Sequence, residues 1–267
     1  MIRLALRASV EDAERVLAAL IELAPSGVEQ VDGPGWVEYA VYGMPGELPS
    51  LPEGPAEVGG ARVTVRGEPV PDDWAERWKR FHVPVLVGGR LWVRPPWEQE
   101  AVRPGVHEIV IDPGQAFGTG THPTTRLCLE LMLELDPRGS FADLGCGSGV
   151  LSIAAAKLGF RPVCAYDSDR AAVAATLSNA RDNGVALDRI ERFDLRGAAP
   201  PVADVVAANL MRPLLLQVRQ SLRELPRVLV LSGLLEAEAD EVVAAYAPLV
   251  ERRRLVDRGW AAVLLAH

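Results

Sequence analysis

The sequence predicts an α/β protein: a doubly wound sheet of seven strands over residues of about 107 to 267, preceded by a small α+β domain of the ferredoxin-like kind. Three observations predict this fold class. Residues 140–167 read as a strand, a glycine turn, a helix and a second strand. Apolar strands and amphipathic helices then alternate to the end of the chain, and the first 66 residues open in a β-α-β-β order.

The first domain is predicted from alternating apolar segments around one helix. Residues 2–7, 27–31, 36–42 and 61–66 have strand patterns. Ser9, with Asp12 three residues later, is typical of a helix cap and starts a helix over residues 10–23. Residues 45–60 are rich in Pro, Gly and Glu, and we expect a loop there.

Aromatic residues are dense over residues 67–106. A short helix over 71–81 and a hairpin over 83–93 carry most of them, and three prolines over 95–106 suggest a linker. The cluster could form a substrate-recognition surface or the packing of a domain junction, and we favour the junction. Its members are Trp74, Trp78, Phe81, Trp92 and Trp97.

A strand over 107–111 leads into a loop, residues 112–126, and a helix to about Leu135. The loop has glycine at 114, 118 and 120 and threonine at 119, 121, 124 and 125. It can be interpreted as an ordinary polar loop with a helix cap. Its length, and its position just before the glycine turn, favour a lid over a ligand.

The glycine turn has the spacing D-x-G-x-G-x-G, from Asp143 through Gly145, Gly147 and Gly149. Such a backbone turns sharply and admits a ligand next to a helix N-terminus. Asp167 ends the next strand and is placed to accept both hydroxyls of a ribose, so we expect a nucleoside-containing ligand. The dinucleotide and P-loop patterns do not match. A purely structural turn is the alternative.

The remaining elements complete the α/β alternation. Two strands end on polar residues, one over 190–193 before Asp194 and one over 202–208 before Asn209. Ligands in such sheets lie beyond the carboxyl ends of the strands, although an asparagine there can also be a simple helix cap. The other elements are a helix over 169–183, a strand over 227–231, a helix over 236–246 and a terminal hairpin over 249–265.

Composition narrows the function classes. The net charge is −8, and residues 1–60, with three arginines and ten acidic residues, carry −7 of it. Such a segment repels phosphate backbones and attracts basic proteins, or merely keeps a small domain soluble. Three scattered cysteines and four histidines without ligand spacing predict no disulfide framework and no metal site. We expect no membrane span and a cytoplasmic location.

The glycine motif together with Asp167 resembles the first motif of S-adenosylmethionine-dependent methyltransferases. More specifically, DPGQAFGTGTHPTTRLCLELM followed by DLGCGSGVLSIAAAKLG resembles the bacterial family that methylates ribosomal large-subunit protein L11. The segment WAERWKRFH…LWVRPPW is similar to the junction region of that family. The resemblance spans nearly the whole chain, although the first 60 residues match in pattern more than in letters.

The resemblance implies a class I S-adenosylmethionine methyltransferase domain at 107–267 and a substrate-recognition domain at 1–66. The methyl donor would be S-adenosyl-L-methionine, and the product S-adenosyl-L-homocysteine. The implied acceptors are lysine ε-amines and the N-terminal α-amine of ribosomal protein L11, free or on the ribosome. We expect a monomer with no membrane partner and no direct nucleic-acid binding.

The resemblance also implies roles for particular residues. Asp167 binds the ribose hydroxyls, Gly145 and Gly147 approach the methionine part, and Asp194 meets the exocyclic amine of adenine. Asn209 contacts the cofactor and, as the catalytic residue, orients the acceptor amine. Asp143 binds the cofactor's amino group through water or only shapes the turn. Loop residues close over the cofactor: Phe117, Gly118, Thr119 and Thr125.

Other functions remain open at this point. A nucleic-acid methyltransferase often has an aromatic residue after the strand tip to stack an extruded base, whereas this chain has Leu210 and Met211. Arg212 departs from the family pattern of a small or neutral residue there. The acceptor could also be another protein or a small molecule, and a non-catalytic cofactor-binding module is a further possibility.

Overall fold

The computed structural model describes most of the chain, which divides into two compact units, Met1–Lys79 and Arg80–His267. The predicted helix over 71–81, with Trp74, Trp78 and Phe81, lies outside the described residues. So do Phe117 and Thr119 of the predicted site. The described residues are 2–23, 28–43, 48, 51–69, 82–99, 104–112, 118, 120 and 122–267.

The first unit is an antiparallel sheet of five strands with one helix, α1 (Ala13–Leu23). The strand order is β2-β3-β1-β5-β4. Alternate residues of the strands, such as Leu4, Leu6 and Val63, form the core with Val16 of the helix, and the predicted small α+β domain is confirmed. The strands are β1 (Ile2–Ser9), β2 (Glu29–Gly33), β3 (Trp36–Gly43), β4 (Gly54–Val58) and β5 (Ala61–Pro69).

The predicted loop over 45–60 is wrong for its last part, because β4 is a strand there. Gly59 and Gly60 both have positive φ, so the chain reverses and Glu57 pairs with Arg62 of β5. At the edge of a sheet a proline such as Pro55 is tolerated, since one row of backbone groups needs no partner strand. The Pro, Gly and Glu content concealed this strand.

The second unit begins with a small sheet in the order β6-β7-β8. The strands are β6 (Val85–Val87), β7 (Leu91–Arg94) and β8 (His107–Val110). The strand predicted at 107–111 therefore lies in this small sheet, not in the large one. It pairs parallel with β7, and Arg94 contacts Glu108 at 2.6 Å across the pair. Val93 and Ile109 point into the core of the unit.

The large sheet has seven strands in the order β11-β10-β9-β12-β13-β15-β14, which confirms the predicted sheet. The first five are parallel, and β15 runs antiparallel between β13 and β14 as the predicted terminal hairpin. The strands are β9 (Phe141–Leu144), β10 (Val163–Asp167), β11 (Arg189–Arg192), β12 (Val205–Asn209), β13 (Val228–Leu235), β14 (Val250–Asp257) and β15 (Trp260–Ala266).

Helices cover both faces of this sheet. The helices α2 (Pro123–Leu133), α3 (Val150–Leu158) and α4 (Arg170–Asp182) pack on one face, and α5 (Arg212–Ser221) and α6 (Ala239–Ala245) pack on the other. All four residues of the central strand β9 are buried as a result. In the described part of the chain, no helix is long and apolar enough to cross a membrane.

Tyr246, the C-cap residue of α6, links the two helices on the second face of the sheet. Its hydroxyl is buried and donates to the Leu215 carbonyl oxygen of α5 at 2.8 Å. We expect Tyr246→Phe to lower the free energy of unfolding by about 1 kcal/mol, measured by urea denaturation. The matched control is Ser221→Ala, which removes a hydroxyl bond of 2.8 Å to Val218 at a half-buried site. An equal loss in the two variants would contradict a special role for the buried bond.

Candidate functional site

The candidate site lies at the carboxyl edge of the large sheet, where β9 separates two neighbours. Asp143 of β9 is in register with Ala165 of β10 on one side and Ala207 of β12 on the other. Beyond these strand ends is a cavity of about 210 Å³. It is lined by Gly145, Gly147, Asp167, Ser168, Phe193, Asp194, Leu195, Arg196, Asn209, Leu210 and Leu214. Five of the predicted site residues therefore meet in one crevice.

The glycine turn is held by backbone hydrogen bonds from the end of β10. The amides of Gly145 and Cys146 both donate to the Tyr166 carbonyl oxygen, at 2.8 and 3.0 Å. Gly145 has a φ of +76°, and an added Cβ would lie 2.4 Å from a methyl carbon of Leu210. A side chain there would be strained and would occupy the crevice. The turn thus presents bare backbone to the cavity.

Asp167 is fixed in orientation at the tip of β10. One carboxylate oxygen accepts the Gly147 amide at 3.0 Å, and the other accepts the Asp169 amide at 3.0 Å. A carboxylate has about four acceptor positions, so lone pairs remain for other donors. Asp167 can therefore accept hydroxyl groups of a ligand while it braces the glycine turn.

Asp143 is the buried carboxyl group of the site. One of its oxygens accepts the amide and the hydroxyl of Ser152, at 3.1 and 2.7 Å. The other oxygen is buried with no hydrogen-bond partner in the described part of the chain. Burial raises the pKa of Asp143 to about 7, the Ser152 hydrogen bonds oppose the shift, and the charge of Asp167 adds to it. Asp143 thus has an unsatisfied acceptor directly before the glycine turn.

Asn209 and Thr125 contact each other at the tip of β12. The Asn209 side-chain amide nitrogen lies 3.3 Å from the Thr125 hydroxyl oxygen, and Thr125 is buried in the first turn of α2. Asp194 lies across the cavity and accepts the Arg196 amide at 2.9 Å. Asp194 therefore lines the crevice, whereas Thr125 lies behind it in contact with Asn209.

Gly118 is another of the loop residues that were predicted to close over the cofactor, and it is hydrogen bonded to the glycine turn. The Ser148 hydroxyl donates to the Gly118 carbonyl oxygen at 2.6 Å. Gly118 is buried at this contact and has a φ of +100°. This bond joins Gly118, which precedes α2 in the chain, to the turn.

Sequence reasoning missed two residues of α4 that donate hydrogen bonds to backbone carbonyls of the glycine turn. Thr176 donates to the Gly147 carbonyl oxygen at 3.0 Å, and Asn179 donates to that of Ser148 at 2.9 Å. The signal that could have found them is a polar pair three positions apart on a helix otherwise rich in alanine. His122 was also missed: it caps α2 and packs against the Trp260 ring at a centroid distance of 5.1 Å.

Arg212 does not line the crevice. It begins α5 and forms ion pairs with Glu238, at 3.3 Å, and with Glu241. The departure from the family pattern at this position is therefore accounted for by contacts between α5 and the segment around α6.

A larger cavity, of about 300 Å³, lies at the opposite edge of the sheet. It is lined by Asp136, Arg138, Gly139, Asp204 and Arg227. Asp204 accepts the amide and the hydroxyl of Ser140, and so joins the starts of β9 and β12. Among the predicted site residues that the structure describes, none lines this cavity, and its carboxylate Asp204 has the structural role just given.

Comparison with known proteins decides the family. A family model described as ribosomal protein L11 methyltransferase matches residues 56–267. The chain belongs to this family. The match includes the glycine turn, Asp167, Asp194 and Asn209, and the residues before 56 lie outside it.

Curated relatives carry the same description. The ribosomal protein L11 methyltransferase of Alteromonas mediterranea is 38% identical over 216 residues, which are 79% of this chain and 73% of that protein. The protein of that name from Actinobacillus succinogenes is 44% identical over 184 residues, which are 67% of this chain and 62% of the relative. The chain thus spans less than two thirds of the length of several relatives that it matches.

A solved structure supports the fold. The ribosomal protein L11 methylase from Lactobacillus delbrueckii subsp. bulgaricus aligns with a TM-score of 0.61 at 26% identity. The alignment covers 70% of this chain and 99% of that one. The class I methyltransferase fold predicted from the sequence is confirmed.

The raised pKa of Asp143 predicts a pH-dependent stability. Between the usual carboxyl pKa of 3.8 and about 7, the folded protein binds a proton that the unfolded chain does not. The contribution of Asp143 to stability is therefore full below about pH 4 and is lost as the pH rises through 7. Relative to Asp143→Asn, we expect the parent to gain about 2 to 3 kcal/mol in free energy of unfolding from about pH 8 to about pH 5. Urea denaturation of both proteins at each pH measures this, and a constant difference would contradict it.

Proposed function

We propose that this protein is an S-adenosylmethionine-dependent methyltransferase that methylates lysine ε-amines and the N-terminal α-amine of ribosomal protein L11. The observation that carries the proposal is the crevice that Asp167, bonded to the Gly147 amide at the end of β10, shares with Asn209 at the end of β12. This is the position at which open α/β sheets bind their ligands. Family membership gives the reaction class, and the crevice supplies groups suited to it.

The residues of the crevice fit a nucleoside with a charged amino-acid tail. Phe193, Leu195 and Leu210 offer apolar contact to a base, and Asp194 lies beside them as an acceptor. Asp167 is suited to the ribose hydroxyls, and the bare backbone at Gly145 admits the methionine part. The unsatisfied oxygen of Asp143 suits a link to the amino group. When bound, S-adenosylmethionine supplies an electrophilic methyl group.

Asn209 is the residue that we assign to the acceptor amine. Its amide nitrogen is engaged with Thr125, so its carbonyl oxygen is the group left to accept a hydrogen bond from an amine. An acceptor lysine must be neutral to react, and deprotonation at pH 7 costs about 4.6 kcal/mol for a pKa of about 10.4. The contribution of the enzyme is therefore to orient the neutral amine, which the Asn209 carbonyl oxygen can do by accepting one of its hydrogens.

The acceptor protein is inferred from the relatives and from charge. The relatives are named for ribosomal protein L11, and residues 1–60 of this chain carry a net charge of −7. We assign capture of the acceptor to the domain at 1–66, with 67–106 as its junction to the catalytic domain at 107–267. An acidic domain attracts a basic partner and repels phosphate backbones.

The cofactor site is tested with Asp167→Ala. We expect loss of charge-assisted hydrogen bonds worth about 1.5 to 3 kcal/mol each, hence at least about tenfold weaker binding of S-adenosylmethionine by calorimetry. The matched control is Asp188→Ala. Asp188 accepts the Val163 amide at 2.8 Å at the opposite end of the same strand, away from the cavity. Unchanged affinity in Asp167→Ala, or equal losses in both variants, would show that the site is misplaced.

The reaction is tested by mass spectrometry of ribosomal protein L11 incubated with this protein and S-adenosylmethionine. We expect mass gains in steps of one methyl group on lysines or the N-terminus. At a saturating concentration of the methyl donor, Asn209→Ala should react about a hundredfold more slowly, because the amine is no longer oriented. Absence of methylation by a parent protein that binds the donor would refute L11 as the acceptor. Full activity in Asn209→Ala would refute the role of Asn209.

A further inference from the structure

The buried face of α4 carries two polar side chains, Thr176 and Asn179, and the half-buried Asn183 follows at the C-cap, so the spacings are three and four residues. Thr176 and Asn179 have essentially no exposed surface. Buried amide groups are stable only when hydrogen bonded, so the partners of these side chains are firm contacts. None of the three belongs to the crevice itself.

Asn179 joins two segments that are distant in sequence. Its amide nitrogen donates to the Ser148 carbonyl oxygen in the glycine turn at 2.9 Å. Its side-chain oxygen accepts the Asp112 amide at 3.0 Å, directly after β8. The nitrogen and the oxygen of the Asn179 side-chain amide are therefore both hydrogen bonded. Movement of the Ser148 segment disturbs the bond to Asp112, and the reverse also holds.

Ser148 extends this connection to a second point of the loop after β8. Its hydroxyl donates to the Gly118 carbonyl oxygen at 2.6 Å, while its own carbonyl is held by Asn179. The chain is thus tied to the glycine turn at Asp112 and again at Gly118. The hydroxyl of Thr176 holds the preceding carbonyl, that of Gly147, at 3.0 Å.

Asn183, the residue that caps the C-terminus of α4, makes the same kind of contact without reaching the glycine turn. Its side chain accepts the Val110 amide at 2.8 Å and donates to the Val110 carbonyl at 2.6 Å. It therefore secures β8 to α4. Its amide nitrogen also donates to the Asn179 backbone carbonyl at 2.8 Å, so the two asparagines share the same chemistry and differ in the backbone groups that they bind.

We propose that Asn179 is a positioning residue for methyl transfer. It holds the Gly147–Ser148 backbone in the conformation that receives the methionine part of the donor, and it couples that backbone to the start of the loop at Asp112. The inference rests on the proposed function, because it presumes that the donor binds at the glycine turn. Asn179 lies outside the crevice and acts on the donor through the backbone of the glycine turn.

The test compares Asn179→Asp with Asn183→Asp in the full chain. In each variant an oxygen replaces the donor nitrogen and faces a backbone carbonyl, while the acceptor oxygen is kept. We expect Asn179→Asp to weaken binding of S-adenosyl-L-homocysteine at least about tenfold by calorimetry and to raise the KM for S-adenosylmethionine by a similar factor. We expect Asn183→Asp to leave both within about twofold, although both variants lower the Tm.

The outcomes separate this inference from the proposed function. A parent protein that binds neither S-adenosylmethionine nor S-adenosyl-L-homocysteine refutes both. A parent that binds them, with equal affinities in the parent and Asn179→Asp or equal losses in the two variants, refutes only the positioning role. If Asn179→Asp does not fold, hydrogen exchange in the parent protein decides. The Asp112 amide should exchange more slowly with S-adenosyl-L-homocysteine bound, while the Val163 amide at the far end of β10 should not change. Equal exchange at Asp112 with and without it would overturn the inference.

Discussion

The whole site depends on the parallel pairing of β9 with β10 on one side and β12 on the other. This pairing brings three carboxyl ends to one edge of the sheet. The chain continues from β9 to β10 and β11 on one side and then crosses to β12 on the other, so the strand order reverses at β9 and a crevice opens there. Asp167 and Asn209 are the last residues of β10 and β12, and Asp143 is the second-last residue of β9. Because the strands are buried on both faces, their ends can hold polar groups in fixed positions without support from solvent.

A turn of glycines has few side chains to pack, so its conformation rests on hydrogen bonds to its backbone. Here those bonds come from three directions: the Tyr166 carbonyl, the Asp167 carboxylate, and Thr176 with Asn179 on α4. Leaving one buried partner unsatisfied costs about 1 to 3 kcal/mol, so the bonds favour a single conformation. A turn that is ordered in this way before a ligand arrives loses little entropy when it binds one.

The chemistry at the tip of β12 suits the amine acceptor that we propose better than an extruded base. Leu210 lines the crevice and Met211 is exposed. Since neither residue is aromatic, neither can stack on an extruded base. The acidic N-terminal region adds an unfavourable term for a phosphate backbone and a favourable one for a basic protein. The non-aromatic residues after β12 and the acidic N-terminal region therefore both favour a basic protein substrate over a nucleic acid.

Local patterns in the sequence determined the fold class, the seven-stranded sheet, the glycine turn and the polar residues at the strand ends, because alternation, glycine spacing and strand termini are properties of short segments. They did not determine the edge strand β4. Its Pro and Gly content is typical of a loop, and it forms a strand because β5 supplies hydrogen-bond partners along one side. Nor did they assign β8 to the small sheet or reveal Asn179 as a link between Ser148 and Asp112. Only the tertiary structure decided these features, since each depends on hydrogen bonds between segments far apart in the chain, and such bonds leave no periodic signal in the sequence.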